Sequence, residues 1–251
     1  KAIRRQRQMC IRDRLMSNQG YNELFYPGLG PEGKLLNLDL HVYLTNEEKI
    51  RVFNGMINTN YGLISNVKIT LEEAMEKSVN NFAVLCGNNN GTIENFIVHT
   101  KDNIHVSSDF GFVARSTYRG TIRNGYLYGE KIIASYQRAT TDQKRVGAIG
   151  GYLGQGSVLE NVYSLIDIDA YSLEHSDSND RVGNLVGFSQ RSTVRNVYSV
   201  AEGENRDLNT DPNLGIIDNA QATNSFYINN SIYNTSYSLK TSKTALWNTI
   251  F

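Results

Sequence analysis

Apolar and polar residues alternate with a period of two along much of this chain. Val67, Ile69 and Leu71 alternate with polar neighbours, as do Phe96 and Val98, and Val162, Ser164, Ile166 and Ile168. That period is what a strand with one buried face produces, so these segments predict β-structure. Lys34 to Leu44 alternates as well, with Leu36, Leu38, Leu40 and Val42 set against Asn37, Asp39, His41 and Tyr43. It predicts a strand, serving as an N-terminal cap or as the first coil. One segment dissents: Leu71-Glu72-Glu73-Ala74-Met75-Glu76-Lys77 consists of good helix formers.

A repeat decides the matter. Gly91-Thr92-Ile93-Glu94-Asn95 returns 29 residues later as Gly120-Thr121-Ile122-Arg123-Asn124. Weaker copies end at Asn66, Asn161 and Asn196, and a degraded sixth spans Ala220 to Asn224. From Asn66 the motif asparagines are separated by 29, 29, 37, 35 and 28 residues. A fixed period of this size means stacked supersecondary units rather than one closed core. The two long gaps predict loop insertions around Ser135 to Lys144 and Glu174 to Asp180. A second block repeats too: Arg145-Val146-Gly147 recurs as Arg181-Val182-Gly183, and Asn161-Val162-Tyr163-Ser164 as Asn196-Val197-Tyr198-Ser199. Shifted by 29, Met75 falls on Ile104 and Lys77 on Val106, in strand-like sequence. Leu71 to Lys77 therefore predicts strand, with a single helical turn as the alternative.

Asparagine tolerates left-handed dihedrals better than other residues that carry a Cβ, which suits it to a tight bend recurring in every coil. Stacked bends also bring the amides into hydrogen-bonding reach of one another. The residue two before each Asn (Ile93, Ile122, Leu159 or Val194) should point inward. The charged slot between them alternates in sign, so Glu94 should face Arg123 and Glu160 should face Arg195.

Gly-Thr-Ile-x-Asn after an apolar, Gly-containing run resembles the GLUG-type repeat of large Gram-positive surface proteins. It is similar to repeats in the N-terminal region of the IgA1-protease family of zinc metallopeptidases. The resemblance covers about Phe53 to Tyr227 and implies an all-β, right-handed parallel β-helix or β-solenoid, exported and displayed on the cell surface. The strong Gly-rich form survives only as Gly147-Ala148-Ile149-Gly150-Gly151 and Gly183-Asn184-Leu185-Val186-Gly187, and the family's zinc-binding His-Glu-x-x-His is absent.

Lys1 to Arg14 (KAIRRQRQMCIRDR) lacks apolar periodicity and reads as a non-native, adapter-derived stretch. A natural basic tail, suited to nucleic acid or an anionic membrane, is the alternative. The whole chain has no net charge, but without these residues, which include six basic and one acidic, it is acidic by five charges. An acidic body does not suit a phosphate-backbone binder. Cys10 lies in that stretch, leaving Cys86 alone in an apolar run, so stability must come from stacking rather than a disulfide. No apolar run approaches the ~18 residues that span a membrane. The expected organisation is a non-native stretch over 1–14, a lead-in strand and cap over 15–52, solenoid repeats over 53–228 and an exit segment over 229–251, within a fragment of a longer protein.

Candidate chemistry is sparse. Many β-helices cleave glycans with clustered carboxylates. Asp167 and Asp169 are the best pair here, but equivalent positions in neighbouring coils are not acidic, so a solvated polar face is expected. Ser176 to Asp180 is acidic enough for a Ca²⁺ loop yet lacks the spacing and the distal Glu. His41, His99, His105 and His175 do not stand at metal-ligand spacing, and His99 and His105 should lie roughly 20 Å apart in extended chain. No catalytic, cofactor-binding or metal-binding residue is assigned. Tyr126, Tyr128, Tyr152, Tyr163 and Tyr198 fall on or near successive strands. A ladder of exposed aromatics suits glycans or protein partners, and stacking that supports the surface is the plainer reading. The sequence therefore points to a non-catalytic structural or adhesive module of a bacterial surface protein: extracellular, monomeric, with host or cell-wall glycans or proteins as partners. The alternatives are a glycan-processing β-helix and an accessory region of a surface metallopeptidase.

Overall fold

The computed structural model describes residues 12–16, 28–44, 52–74, 80–136, 145–172, 181–201, 205–206, 222–223 and 226–229. Among them every regular element is a strand, and the strands form four stacked sheets whose pairings are parallel. The long sheet has nine strands. Its central members are Lys34–Tyr43, Leu63–Glu73, Thr92–Thr100, Thr121–Gly129, Val158–Ser164 and Thr193–Ala201. Arg12–Met16 pairs with Asp39 to Tyr43 at one edge.

Between long-sheet strands the chain visits the other three sheets in a constant order. After Thr92–Thr100 it enters the second sheet at Ile104–Val106, the third at Phe110–Gly111 and the fourth at Ala114–Thr117, then returns at Thr121. The next round runs through Ile132–Tyr136, Arg145–Val146 and Gly150–Leu153 to Val158. This is an all-β arrangement consistent with a parallel β-helix.

Register reproduces the spacing of the motif. Thr121 pairs with Thr92 on one side and with Val158 on the other. The insertions can be placed by the same means. Ile132 pairs with Ile104, 28 positions away, whereas Val146 pairs with Phe110, 36 away. Eight extra residues therefore fall in 137–144. Ile168 and Arg181 each pair 36 positions back, so the next round carries the same insertion at the same corner, in 173–180. Ser135 and Tyr136 belong to the second sheet, opposite Tyr171 and Ser172, so the first insertion begins two residues later than expected.

The asparagines do what their chemistry suggests. Asn66, Asn95, Asn124, Asn161 and Asn196 have φ of 58°, 56°, 56°, 54° and 51°. Asn37, with φ of 59°, is a copy missed in the sequence, and it ends Gly33-Lys34-Leu35-Leu36-Asn37. Asn224 lies outside the described residues. Each left-handed residue resets the alternation of its strand. In Thr121–Gly129, Ile122, Gly125 and Leu127 face inward and Arg123, Tyr126 and Tyr128 face outward. Inward positions are thus three apart across the bend and two apart after it. This corrects the expectation for Lys34 to Leu44: Leu35 packs against the core, and Leu36 lies on the outer side of the bend, because Asn37 shifts the phase.

Inward side chains stack from round to round. Ile64, Ile93, Ile122, Leu159 and Val194 form one buried row in register. Val67, Phe96, Gly125, Val162 and Val197 form the next. Gly125 has no room for a side chain, since a Cβ there would lie 2.0 Å from the ring of Phe96. Phe82 stacks on Phe110 at 5.9 Å, and Phe110 meets Phe112 edge-on at 5.0 Å. Leu71 to Glu73 continue the strand, so this part of the helix-prone segment is β. Met75 and Lys77 lie outside the described residues.

Three substitutions test these assignments. Ile122→Asp places a charge in the apolar stack and should destabilise by several kcal/mol in urea unfolding. Asn124→Ala should cost about 1–2 kcal/mol, and Asn124→Gly less, because only the alanine opposes a left-handed backbone. Gly125→Val should destabilise by roughly 1–3 kcal/mol through overpacking, with part of the loss recovered in the double variant with Phe96→Ala. Simple additivity of the two would rule out the contact.

Candidate functional site

The outward positions after the Asn bend form the broadest patterned surface of the long sheet. Register puts Asp39, Lys68, Ile97, Tyr126, Tyr163 and Tyr198 in one row. His41, Thr70, His99 and Tyr128 make the row beside it. The first two rounds place charged and polar groups there, Thr70 among them being buried, and the following rounds place apolar and aromatic ones. Ring stacking joins the two rows: His99 to Tyr128 at 4.4 Å, Tyr128 to Tyr126 at 5.0 Å, and Tyr126 to Tyr163 at 4.4 Å. Tyr163 is 46% exposed, and Ile97 and Leu165 are each 42% exposed. Burial in this stack, helped by the neighbouring phenols of Tyr163 and Tyr128, pushes the Tyr126 hydroxyl above its ordinary pKa.

Two polar ladders run along the other side of the bend. Asn66 donates to Asn37 at 3.1 Å, Asn124 to Asn95 at 3.2 Å, Asn161 to Asn124 at 3.1 Å and Asn196 to Asn161 at 3.1 Å. The sequence is broken once, where Asn95 donates to the Ser65 hydroxyl at 3.3 Å. The charged slot behaves as its signs predict. Arg123 Nε donates to Glu94 at 2.8 Å and Arg195 Nε to Glu160 at 2.6 Å, while Arg123 lies 3.9 Å from Glu160.

A separate charged cluster occupies the first three rounds. His41 Nδ1 lies 2.6 Å from Glu72 and its Nε2 lies 3.5 Å from Asp39, and Lys101 Nζ donates to Glu72 at 2.6 Å. The Lys101 ammonium first, then His41, holds the Glu72 carboxyl below the usual carboxylate range against an opposing contribution from burial.

The sequence candidates are distributed unevenly. Asp169 is buried rather than solvated, and its carboxylate accepts from Lys131 Nζ at 2.8 Å; Asp167 is only half-buried. Ile133 stands in register with Asp169 in the preceding round. His99 is on the long sheet and His105 on the second sheet. Tyr152 does not join the tyrosine rows. It lies in the fourth sheet, stacked on Phe188 at 5.7 Å and edge-on to Tyr118 at 5.2 Å, with the Arg145 guanidinium 4.9 Å from its ring centre. Cys86 is fully buried, and burial pushes its thiol up to about 12. His175 and Ser176 to Asp180 lie outside the described residues. Among those described, no three His, Cys, Asp or Glu are grouped so as to hold a metal ion. Nor is any helix long and apolar enough to cross a membrane.

The interior holds a polar pair that the alternation does not predict. Asn60 and Asn89 are fully buried, with Asn60 donating to Asn89 at 2.8 Å. Each carbonyl oxygen accepts from the amide two residues on, at Gly62 and Gly91. The signal was present: both precede the motif glycine by two positions and are 29 residues apart.

No family model matches this chain, and no curated protein matches it. Among solved structures it is similar to a putative immunoglobulin A1 protease from Bacteroides ovatus, with a TM-score of 0.48 and 15% identity. The match covers 84% of this chain, and this chain spans 64% of the length of that one. Likeness at that level carries no functional argument.

Glu72 generates a pH prediction. A carboxyl whose pKa is depressed on folding stabilises the protein above the ordinary carboxylate range, and this contribution is lost as pH falls through the folded value. The urea midpoint of the parent should therefore drop as pH is lowered through and below that range. Glu72→Gln should show a shallower drop, and parallel curves would remove the cluster from the pH response.

Proposed function

We propose that this chain is a right-handed parallel β-helix that works as a non-catalytic structural and adhesive module of a large, exported surface protein. It acts as a monomer with extracellular glycans or proteins as partners and does not bind nucleic acid. The observation that carries the reading is how the acidic groups are used. Glu94 and Glu160 are taken by Arg123 and Arg195, Glu72 by Lys101, Asp109 by Arg145 and Asp169 by Lys131. Glycan cleavage needs one carboxyl kept protonated and another held as an available base or nucleophile. Ion pairing to a neighbouring round does the opposite: it occupies each carboxylate with a cation, and at Glu72 it also holds the carboxyl below the usual range. The motif slots serve bending and packing, which suits a rigid spacer.

The repeats' resemblance to those of the IgA1-protease family supports a second reading, an accessory region ahead of a metallopeptidase domain. Both readings leave these residues without chemistry of their own.

The full chain, incubated with pectin, glycosaminoglycans, mucin glycans and immunoglobulin A, should release no reducing ends and no peptide fragments. Reproducible cleavage that is lost on Asp167→Asn or Asp169→Asn would replace the scaffold by a glycan-processing or proteolytic β-helix.

A further inference from the structure

The outward face of the long sheet carries a ligand assignment, which rests on the adhesive reading above. We infer that the strip formed by Ile97, His99, Tyr126, Tyr128, Tyr163 and Leu165 binds a single extended chain of a neutral polysaccharide lying along the stacking direction.

Three observations favour that occupant. The first is size. The strip crosses three adjacent rounds spaced ~4.8 Å apart, Tyr198 continues one of its rows onto a fourth, and the two rows are ~7 Å apart along the strand. Even with Tyr198 its footprint is on the order of 200 Å² by that geometry, far short of the ~800 Å² per partner of a stable protein interface. A second copy or a folded partner would find too little to hold, whereas one narrow polymer would be covered along its length.

The second is charge. The six side chains include no carboxylate and no ammonium group. In the same row Lys68 stands beside Ile97, at one end of the strip, while the Glu94–Arg123–Glu160–Arg195 row lies across the bend and the His41–Glu72–Lys101 cluster lies apart. A polyanion would meet that single ammonium at the end and none along the rings, a polycation would meet no carboxylate, and an uncharged ligand needs neither.

The third is the kind of surface. Ile97 and Leu165 offer exposed aliphatic contact. The tyrosines offer ring edges and hydroxyls that both donate and accept. A sugar chain alternates C–H patches with hydroxyls and matches that combination. The rings are already stacked on one another at 4.4–5.0 Å, so little side-chain freedom remains to be lost on binding.

The test is retardation of the full chain in native gels cast with soluble neutral polysaccharides (hydroxyethylcellulose, glucomannan, arabinoxylan, dextran), beside polygalacturonate and hyaluronan as charged comparators. At least one neutral polymer should retard the parent. Tyr163→Ala and Ile97→Ser should each weaken that retardation at least tenfold, with melting temperatures within a few degrees of the parent. Tyr61→Ala, which alters an exposed ring just ahead of the Leu63–Glu73 strand rather than on the strip, should leave it unchanged. Should Tyr163→Ala fail to fold, Ile97→Ser and Tyr163→Phe decide, the latter expected to bind more weakly because it lacks only the hydroxyl. Retardation by charged polymers alone, or by none, overturns the assignment. So do equal retardation of parent and strip variants, and a concentration-dependent dimer dissolved by Tyr163→Ala, which would put a second copy on the face. Reducing ends appearing in the same mixtures would instead overturn the non-catalytic reading, so the two failures are told apart.

Discussion

A left-handed backbone at one residue per round fixes which side chains of the long sheet are wet and which are dry. A regular strand turns every second residue inward, so Ile122, Asn124 and Tyr126 would share a face if the chain ran straight. With Asn124 at φ of 56°, Ile122 and Gly125 are both interior and Tyr126 is exposed. The same bend at six described asparagines keeps the buried rows buried through every round. The backbone ladders between rounds then pair in register, and that register is what brings Arg123 to Glu94 and Tyr163 to Tyr126. Losing the bend in one round would shift its whole strand by one position and set charged groups against apolar rows.

Surface and interior contribute differently to this arrangement. The Glu94–Arg123 and Glu160–Arg195 pairs are partly exposed, and each is worth at most about 1 kcal/mol. The apolar rows and the buried Asn60–Asn89 amides carry far more, because a polar group left unpaired in that interior would cost about 1–3 kcal/mol by itself. The charged row is better understood as a device that sets which rounds lie side by side. The aromatic strip has neither role in full: its rings support one another, yet Tyr163 and its aliphatic neighbours remain open to solvent.

Much of this is legible in sequence, and each miss has its own physical cause. The motif asparagines, the inward Ile and Leu residues and the charge pairing followed from a 29-residue spacing. Tyr126, Tyr163 and Tyr198 could be aligned by the same subtraction. Asn37 escapes a sequence reading because Leu36 is apolar and extends the alternation of Leu38, Leu40 and Val42 backwards, so nothing in the pattern marks the change of phase at the bend. Asn60 and Asn89 escaped because an asparagine in a strand reads as a turn residue, whereas here a buried amide satisfies its neighbour. Tyr152 reads like the other tyrosines because spacing alone does not assign a residue to a sheet. The pairing of Lys131 with Asp169 spans 38 residues and an eight-residue insertion, and only the strand register brings the two together.

The contact of Phe96 with Gly125 has a consequence beyond local packing. At that interior position the rounds carry Leu, Val, Phe, Gly, Val and Val in turn, and the one large ring sits against the one missing side chain. Although the rounds repeat in backbone, they are not interchangeable units. Transposing the Thr92–Thr100 round with the Val158–Ser164 round would keep Phe96 beside Gly125 but turn the ring's far side to Val197 instead of Val67. Duplicating the Phe round would set ring against ring, with the space at Gly125 able to receive only one of them. The stack thus behaves as an ordered word rather than a string of identical beads. Its length can change by adding or removing valine rounds, while the phenylalanine–glycine couple has to be gained or lost as a pair.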